Sequence, residues 1–454
     1  MTLLDRLLQR WRDYWFRPAP LLDLGVCRIL IVGSALLALN SYVPPHSVRE
    51  LSELPDSLYD ALPILHLLIL PFGWKARPSL EVIEAVRLLT FALGGLALAG
   101  FMTRVTLAGF ALGNLFLFAF KYSFRELHHP EAIMAIALCI LALSPAGGAL
   151  SVDDLRRRAA SAFARRQFRP FHLGDESSVF ARWPLLVIQW LFALVYLSAA
   201  LSKLMASGLE WMNGDTLQYY VLRDAMRWEM GIGLWIARHH GVMVVLSWVT
   251  MLFEATFFLV PIVPRLAWVY VPLGVFLHIG MLTTMNANFM IYLALYTVFI
   301  PWTALFHRLA RHRARLKPRP RPEILFDEHC PLCIRSMTVL RYADWLDRLT
   351  MSELGTRWPA IAARYPHLSR QDCEREMHVV LPDGSVVRGF FAFRALLPHL
   401  MPLWLLLPAF YFPLADRIGP RIYRLVASRR ARFAACPDAT CQLAAAPEPE
   451  KAPR

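Results

Sequence analysis

Two cysteines three residues apart, Cys330-Pro-Leu-Cys333, form the most reactive pairing in the chain. Thiol–disulfide exchange needs a nucleophilic thiolate to attack a disulfide and a second thiol nearby to resolve the mixed species. The pair also fits half of a zinc site, with Cys436 and Cys441 as the other two ligands, or two inert structural cysteines. Other chemistry-bearing side chains lie within or beside strongly apolar runs. His128 and His129 lead one, Lys203 sits near the end of another, and His278 interrupts a third. Ionisable groups in such places are candidates for proton transfer or ligand binding, because burying them is costly. Plainer readings stand beside this one: Lys203 snorkelling to an interface, histidines in loops, or His278 bonded to a neighbouring helix.

The elements that must hold the cysteines can be read from the flanking pattern. Glu323-Ile-Leu-Phe326 reads as a strand, and Ile334, Met337, Leu340, Ala343 and Leu346 recur at helical spacing after the cysteines. A helix carrying 334–348 and entered through Pro331 places Cys330 just before its first turn and Cys333 within it. The free N–H groups and dipole there favour a thiolate, and Pro331 suits an early helical position because it has no N–H to lose. Further short runs, Met377–Pro382 and Ser385–Phe391, predict a compact α/β domain of about 110 residues.

The rest of the chain is apolar. Of its 454 residues 57% are hydrophobic and 18% charged, against about 25% charged in soluble domains. Eight runs meet or approach the length of a membrane span: 24–43, 85–101, 105–120, 131–149, 183–205, 241–262, 266–285 and 288–306. A ninth apolar stretch, 396–415, contains four prolines and is assigned to the C-terminal domain. The run 61–73 is too short to span and reads as interfacial or re-entrant. No small-residue cleavage site precedes the first run, so no removable signal peptide is expected.

The net charge of +14 comes with no nucleic-acid-binding signature, and nucleic acid is excluded as a partner. Its basic residues gather before the first run, at 150–182 and after the eighth run, whereas 44–84 holds six acidic against three basic residues. The positive-inside rule then places both termini in the cytoplasm of a multi-pass membrane protein, expected in a bacterial inner membrane. Five of the seven cysteines follow residue 320, which points to redox or metal chemistry in one C-terminal domain. The expected organisation is a helical membrane domain (1–306), a basic Pro/Arg linker (307–322), a dithiol domain (323–436) and a tail (437–454).

Two resemblances extend this reading. Asp327-x-x-Cys330-x-x-Cys333, followed by GFFAFRALLPHL and LADRIGPRIYRLVASRRARF, resembles the DCC family of thiol–disulfide oxidoreductases, a thioredoxin-like group. That resemblance implies Cys330 as nucleophile, Cys333 as resolving thiol and cytoplasmic thiol or disulfide partners. It also puts Asp327 where it accepts or delivers a proton, with a helix-capping role as the alternative. Glu328 departs from the pattern, which usually has Gly after the Asp. ALSKLMASGLEWMNGD and HHPEAIMAIALCILALSPAGGALSVDD resemble the HTTM family, which includes the vitamin K-dependent γ-carboxylase. This implies Lys203 as a base acting on a quinol, His129 near that site, and His278 with it. The large lumenal region of the carboxylase has no counterpart after the helices here. Three function classes follow: a membrane-anchored protein-disulfide reductase, a quinone-linked membrane enzyme, and a non-enzymatic lipid-binding or assembly protein.

Overall fold

The long apolar runs form helices, the conformation that bonds every backbone N–H and C=O within its own segment. The computed structural model describes residues 2–69, 77–124, 129–315 and 320–428. Two compact units result: Met1–Asp153 with Gly174–Ala304, and Asp154–Leu173 with Leu305–Arg454.

The first unit is built on α1 (Leu21–Tyr42), α2 (Leu80–Ala99), α3 (Thr103–Tyr122), α4 (His129–Ala142), α5 (Arg182–Ser207), α6 (His240–Thr256), α7 (Ala267–Met285) and α8 (Ile291–Tyr296). Six helices among the described residues are long and apolar enough to cross a membrane; they begin at Leu21, Leu80, Thr103, Arg182, His240 and Pro264. The other two expected spans differ. Residues 131–149 are helical only to Ala142, then turn at Pro145, Gly147 and Gly148. Arg28 of α1, wholly buried, donates to the carbonyls of Ala146 and Leu150 at 2.9 and 2.5 Å and so holds that turn. Residues 288–306 form a pair of helical segments, Ile291–Phe299 and Trp302–His312, bent by 75°. Pro301, which cannot donate a backbone hydrogen bond, stands at the break. The second segment belongs to α9 (Trp302–Arg315), so the linker expected from residue 307 begins as helix.

The hairpin between α2 and α3 is as tight as its sequence predicts. Gly100 closes α2 at φ +69°, and a Cβ there would strike Ser151 and Arg28. Asp153 caps α3, its carboxylate accepting from the N–H groups of Met102 and Thr103 at 2.9 and 2.7 Å. Removing such a cap costs ~1 kcal/mol.

In the second unit β1 (Glu323–Phe326) is followed by α10 (Pro331–Ala343), β2 (Thr350–Glu353), α11 (Leu354–Arg364), β3 (His378–Val380), β4 (Val386–Arg388), α12 (Phe390–Leu396) and α13 (Ala415–Ala427). The sheet order is β2-β1-β3-β4, with β1 parallel to β2 and the other neighbours antiparallel. β1 is covered on both faces. Ile324 and Phe326 pack with α10, and Leu325 packs with Leu354 and Ile361 of α11. This explains why it reads as an unbroken apolar run.

Two local expectations are corrected. α10 stops at Ala343, short of Leu346, because buried Asp344 accepts from the N–H groups of Arg348 and Leu349 at 2.8 and 3.1 Å, so the chain turns there. Ser385–Phe391 is strand only to Arg388; Gly389, at φ +59°, swings the chain into α12. Stretch 396–415 lies in the second unit, as expected, as a series of short helical turns, three of which carry a proline in their first turn.

Asp154–Leu173, expected as a loop, supplies an arm to this second unit: a helix, Val152–Arg165, and an extended return. Phe168, 5% exposed, meets Phe326 edge-on at 5.5 Å between centroids. Arg341 of α10 donates to the Phe171 carbonyl at 2.8 Å and pairs with His172, Asp344 and Asp347.

Candidate functional site

The dithiol sits where the chain leaves β1 and enters α10. Cys330 is the N-cap residue, extended at φ −82°, ψ +113°, and Pro331 opens the helix. The first helical bond runs from the Ile334 N–H to the Cys330 carbonyl, 3.0 Å. Cys333 is 8% exposed and packs with Ile334 and Met337 in the core, while Cys330 is half-buried. One sulfur is thus accessible and the other shielded, on the end of a helix whose N–H groups favour negative charge.

Asp327 braces the loop before the cysteines. Its Oδ1 accepts from the His329 N–H at 2.9 Å, an Asx-type turn rather than a cap on α10. His329 is largely exposed, with Nδ1 3.7 Å from the same oxygen. Glu328 points the other way and caps α11, accepting from the N–H groups of Gly355 and Thr356 at 2.9 and 3.2 Å. A Cβ on Gly355 would collide with that carboxylate, so the two residues are matched. Asp327, Glu328 and His329 hold ligand-type atoms within 4.8 Å of one another, but Glu328 is committed to the helix N–H groups.

Beside the dithiol lies an apolar cavity of about 420 Å³, lined by Asp327, Cys333, Met337, Phe393, Phe410, Ile422 and others. Its far wall is α13. That helix is seated by the Met377 N–H donating to the Tyr423 hydroxyl at 3.1 Å and by the Arg394–Asp416 ion pair. Phe390 stacks on Phe410 at 5.3 Å. Cys373, on the same wall, is 2% exposed. Burial, then the neighbouring Asp372 and Glu374 charges, push its thiol up to about 11. A second cleft, about 390 Å³, lies between Glu328, His329 and the arm residues Arg166–Phe168.

In the first unit Lys203 pairs with Glu254 of α6 at 2.6 Å and lies over the Trp211 ring, 5.2 Å from its centroid. His278, 3% exposed, is hydrogen-bonded through Nε2 to the Tyr196 hydroxyl at 2.7 Å, and Tyr196 meets the Tyr296 hydroxyl at 2.5 Å. Tyr196 stands two helical turns before Lys203 on α5, so that one helix carries both groupings. His129 opens α4, but its side chain and all of His128 lie outside the described residues, as do Cys436 and Cys441. Glu254, Tyr196 and Tyr296 were missed in the sequence. Glu254 was open to detection, being an acidic residue in an apolar run; the tyrosines carry no such signal.

Residues 324–435 match the DCC1-like thiol-disulfide oxidoreductase family. No curated protein and no solved structure matches the chain significantly.

Proposed function

We propose that the protein is a membrane-anchored thiol–disulfide oxidoreductase whose dithiol works on the cytoplasmic face. The observation that carries it is Cys330 as the half-buried N-cap of α10 with Cys333 shielded three residues on, inside the region that matches the family. Cys330 attacks a partner disulfide, Cys333 displaces the partner from the mixed disulfide, and two electrons and two protons pass to it. Asp327, at the cavity wall beside the pair, serves proton movement there. The order β2-β1-β3-β4, with β1 and β2 joined through α10, supports a thioredoxin-like domain.

Sidedness has a parity argument. Residues 154–173 and those after 305 form one compact unit and so share one side of a membrane. The crossings between them must be even in number. The helices beginning at Arg182, His240 and Pro264 supply three, and our reading counts the bent pair as the fourth. The arginines of both segments support a cytoplasmic location for that side.

The reading is tested by trapping thiols of the full-length chain across a series of redox buffers. A reversible two-electron transition pairing Cys330 with Cys333, lost in Cys330→Ser and in Cys333→Ser, is expected. Failure of these two sulfurs to pair sinks it.

The Lys203–Glu254 pair favours a second activity in the first unit. A proton passed from Nζ to the carboxylate leaves a neutral amine able to accept one from a quinol. Glu254→Gln and Lys203→Ala should then each weaken quinol binding or turnover at least tenfold; unchanged behaviour in both removes this activity.

A further inference from the structure

Helix α13 carries three stripes at helical spacing, and each meets different surroundings. Ala415, Gly419 and Tyr423 face the protein. Ala415 is buried, a Cβ on Gly419 would strike the Phe390 ring, and the Tyr423 hydroxyl accepts from the Met377 N–H at 3.1 Å. Ile418, Ile422 and Leu425 form a second stripe, which the protein leaves exposed. Arg417, Arg421 and Arg424 form the third. Each arginine precedes its apolar neighbour by one residue, so the two exposed stripes run side by side about 100° apart. Asp416, the only acidic residue of the helix, is taken by Arg394, and no carboxylate among the described residues pairs with the three arginines.

The apolar surface continues beyond the helix. Phe390 also stacks on Phe410, which places the turns of Met401–Tyr411 beside α13. In these turns Trp404 and Leu406 are exposed, and Leu405 is 91% exposed. Single exposed leucines are ordinary, but large apolar side chains gathered on two packed elements mark a surface that something covers. The border of the surface selects its partner. A row of arginines without carboxylates, flanking an apolar stripe, fits a layer that offers hydrocarbon at one depth and phosphate just above it. The same chain carries six helices long and apolar enough to cross a membrane, and it rejoins the second unit at Leu305, after them.

We propose that α13 and the turns before it lie in the interface of an anionic bilayer. Ile418, Ile422 and Leu425 enter the acyl chains, with Trp404 and Leu405 beside them, and Arg417, Arg421 and Arg424 bind lipid phosphates. This rests on the chain spanning a membrane as argued above, and it is independent of the redox chemistry. The dithiol unit is then held to the bilayer at its end as well as through its own chain, and its partners meet it at the membrane surface.

The test uses the full-length chain with its native cysteines replaced and single nitroxide labels at Leu405→Cys, Ile422→Cys and Ala363→Cys. Ala363 is exposed on α11, which packs on Leu325 across the sheet from the side that α12 covers. In nanodiscs of phosphatidylcholine with phosphatidylglycerol, collisions with oxygen, which concentrates in hydrocarbon, should outweigh those with a water-soluble nickel chelate at 405 and 422. The reverse is expected at 363. Arg417→Gln, Arg421→Gln and Arg424→Gln should each lower the ratio of inserted to detached molecules about fivefold, the factor one arginine contributes near an anionic surface. The wild-type chain gives a second reading that needs no cysteine replacement: phosphatidylglycerol with a photoreactive acyl chain should mark residues 418–425. Nickel-dominated collisions at 405 and 422 overturn the proposal. Shielding of both positions from both reagents in every lipid also overturns it, since protein then covers the surface. A label at Leu112→Cys, exposed on α3, separates two failures. If it keeps its oxygen preference, the attachment of α13 alone fails; if it too prefers the nickel chelate, the membrane reading fails with it.

Discussion

Three cysteines share one small region of the second unit, and their surroundings give them different chemistry. Cys330 is half-buried at a helix start, Cys333 is shielded, and Cys373 is buried beside two acidic residues. Because Cys373 is held up to about 11, it stays protonated and inert at neutral pH. Iodoacetamide at pH 7.5 should label Cys330 in the native, reduced protein and reach Cys373 only after unfolding; mass spectrometry of the two peptides decides. The same raised value has a thermodynamic sign. Above the ordinary thiol value of 9.0 the unfolded chain loses this proton and the folded one keeps it, so stability falls as pH rises from 9 towards 11. Cys373→Ala should flatten that decline in denaturant titrations. The dithiol was legible in the sequence because two cysteines at that spacing before a periodic helix have few other uses. Cys373 was not, because its acidic neighbours adjoin it in the sequence but its burial comes from packing that nothing local reveals.

At the scale of elements, one departure from the family pattern turns out to be a cap. Glu328 crosses to α11 and satisfies two of its unpaired N–H groups, which requires a residue without a Cβ at position 355. Gly355→Ala should push the carboxylate away and cost ~1–2 kcal/mol of stability, read from chemical denaturation. Glu328→Gln should cost less, ~0.5 kcal/mol, since an amide oxygen still accepts the bonds. If Gly355→Ala is neutral, the match is incidental. Strand β1 and the start of α10 were foreseen from apolar patterning, whereas the end of α10 was not. Its periodicity runs on to Leu346, and the carboxylate of Asp344 overrides it by taking the backbone donors of the following turn. The short strand β2 was missed because Thr350-Met-Ser-Glu353 lacks both alternation and β-branched bulk beyond one threonine.

At the scale of the whole molecule, parity of crossings makes sharp claims about sidedness. The topology proposed above puts Asn213 and Asn288 on the side opposite the dithiol and Arg265 on the same side. Asn213→Cys and Asn288→Cys in a background lacking native cysteines should react with an impermeant maleimide in intact cells, and Arg265→Cys only after permeabilisation. Reaction of Arg265→Cys from outside would remove the fourth crossing. Apolar length made six helices readable, but the turn after Ala142 depends on Arg28, distant in sequence, and the bend at Pro301 rests on one proline within an otherwise unbroken apolar run. The arm was the least legible part. Its basic residues suggested a solvated loop, and the contacts of Phe168 and Arg341 join segments more than 150 residues apart. That separation dictates an order of assembly. The arm leaves the ribosome before four apolar segments are made, and at ~5–20 residues per second it waits roughly ten seconds or more for β1 and α10. Throughout that interval Phe168 lacks its partner Phe326, and the second unit closes its core only once the chain has passed beyond the last long apolar segment. A nascent chain stalled before then holds neither the folded turn around Cys330 and Cys333 nor a covered arm.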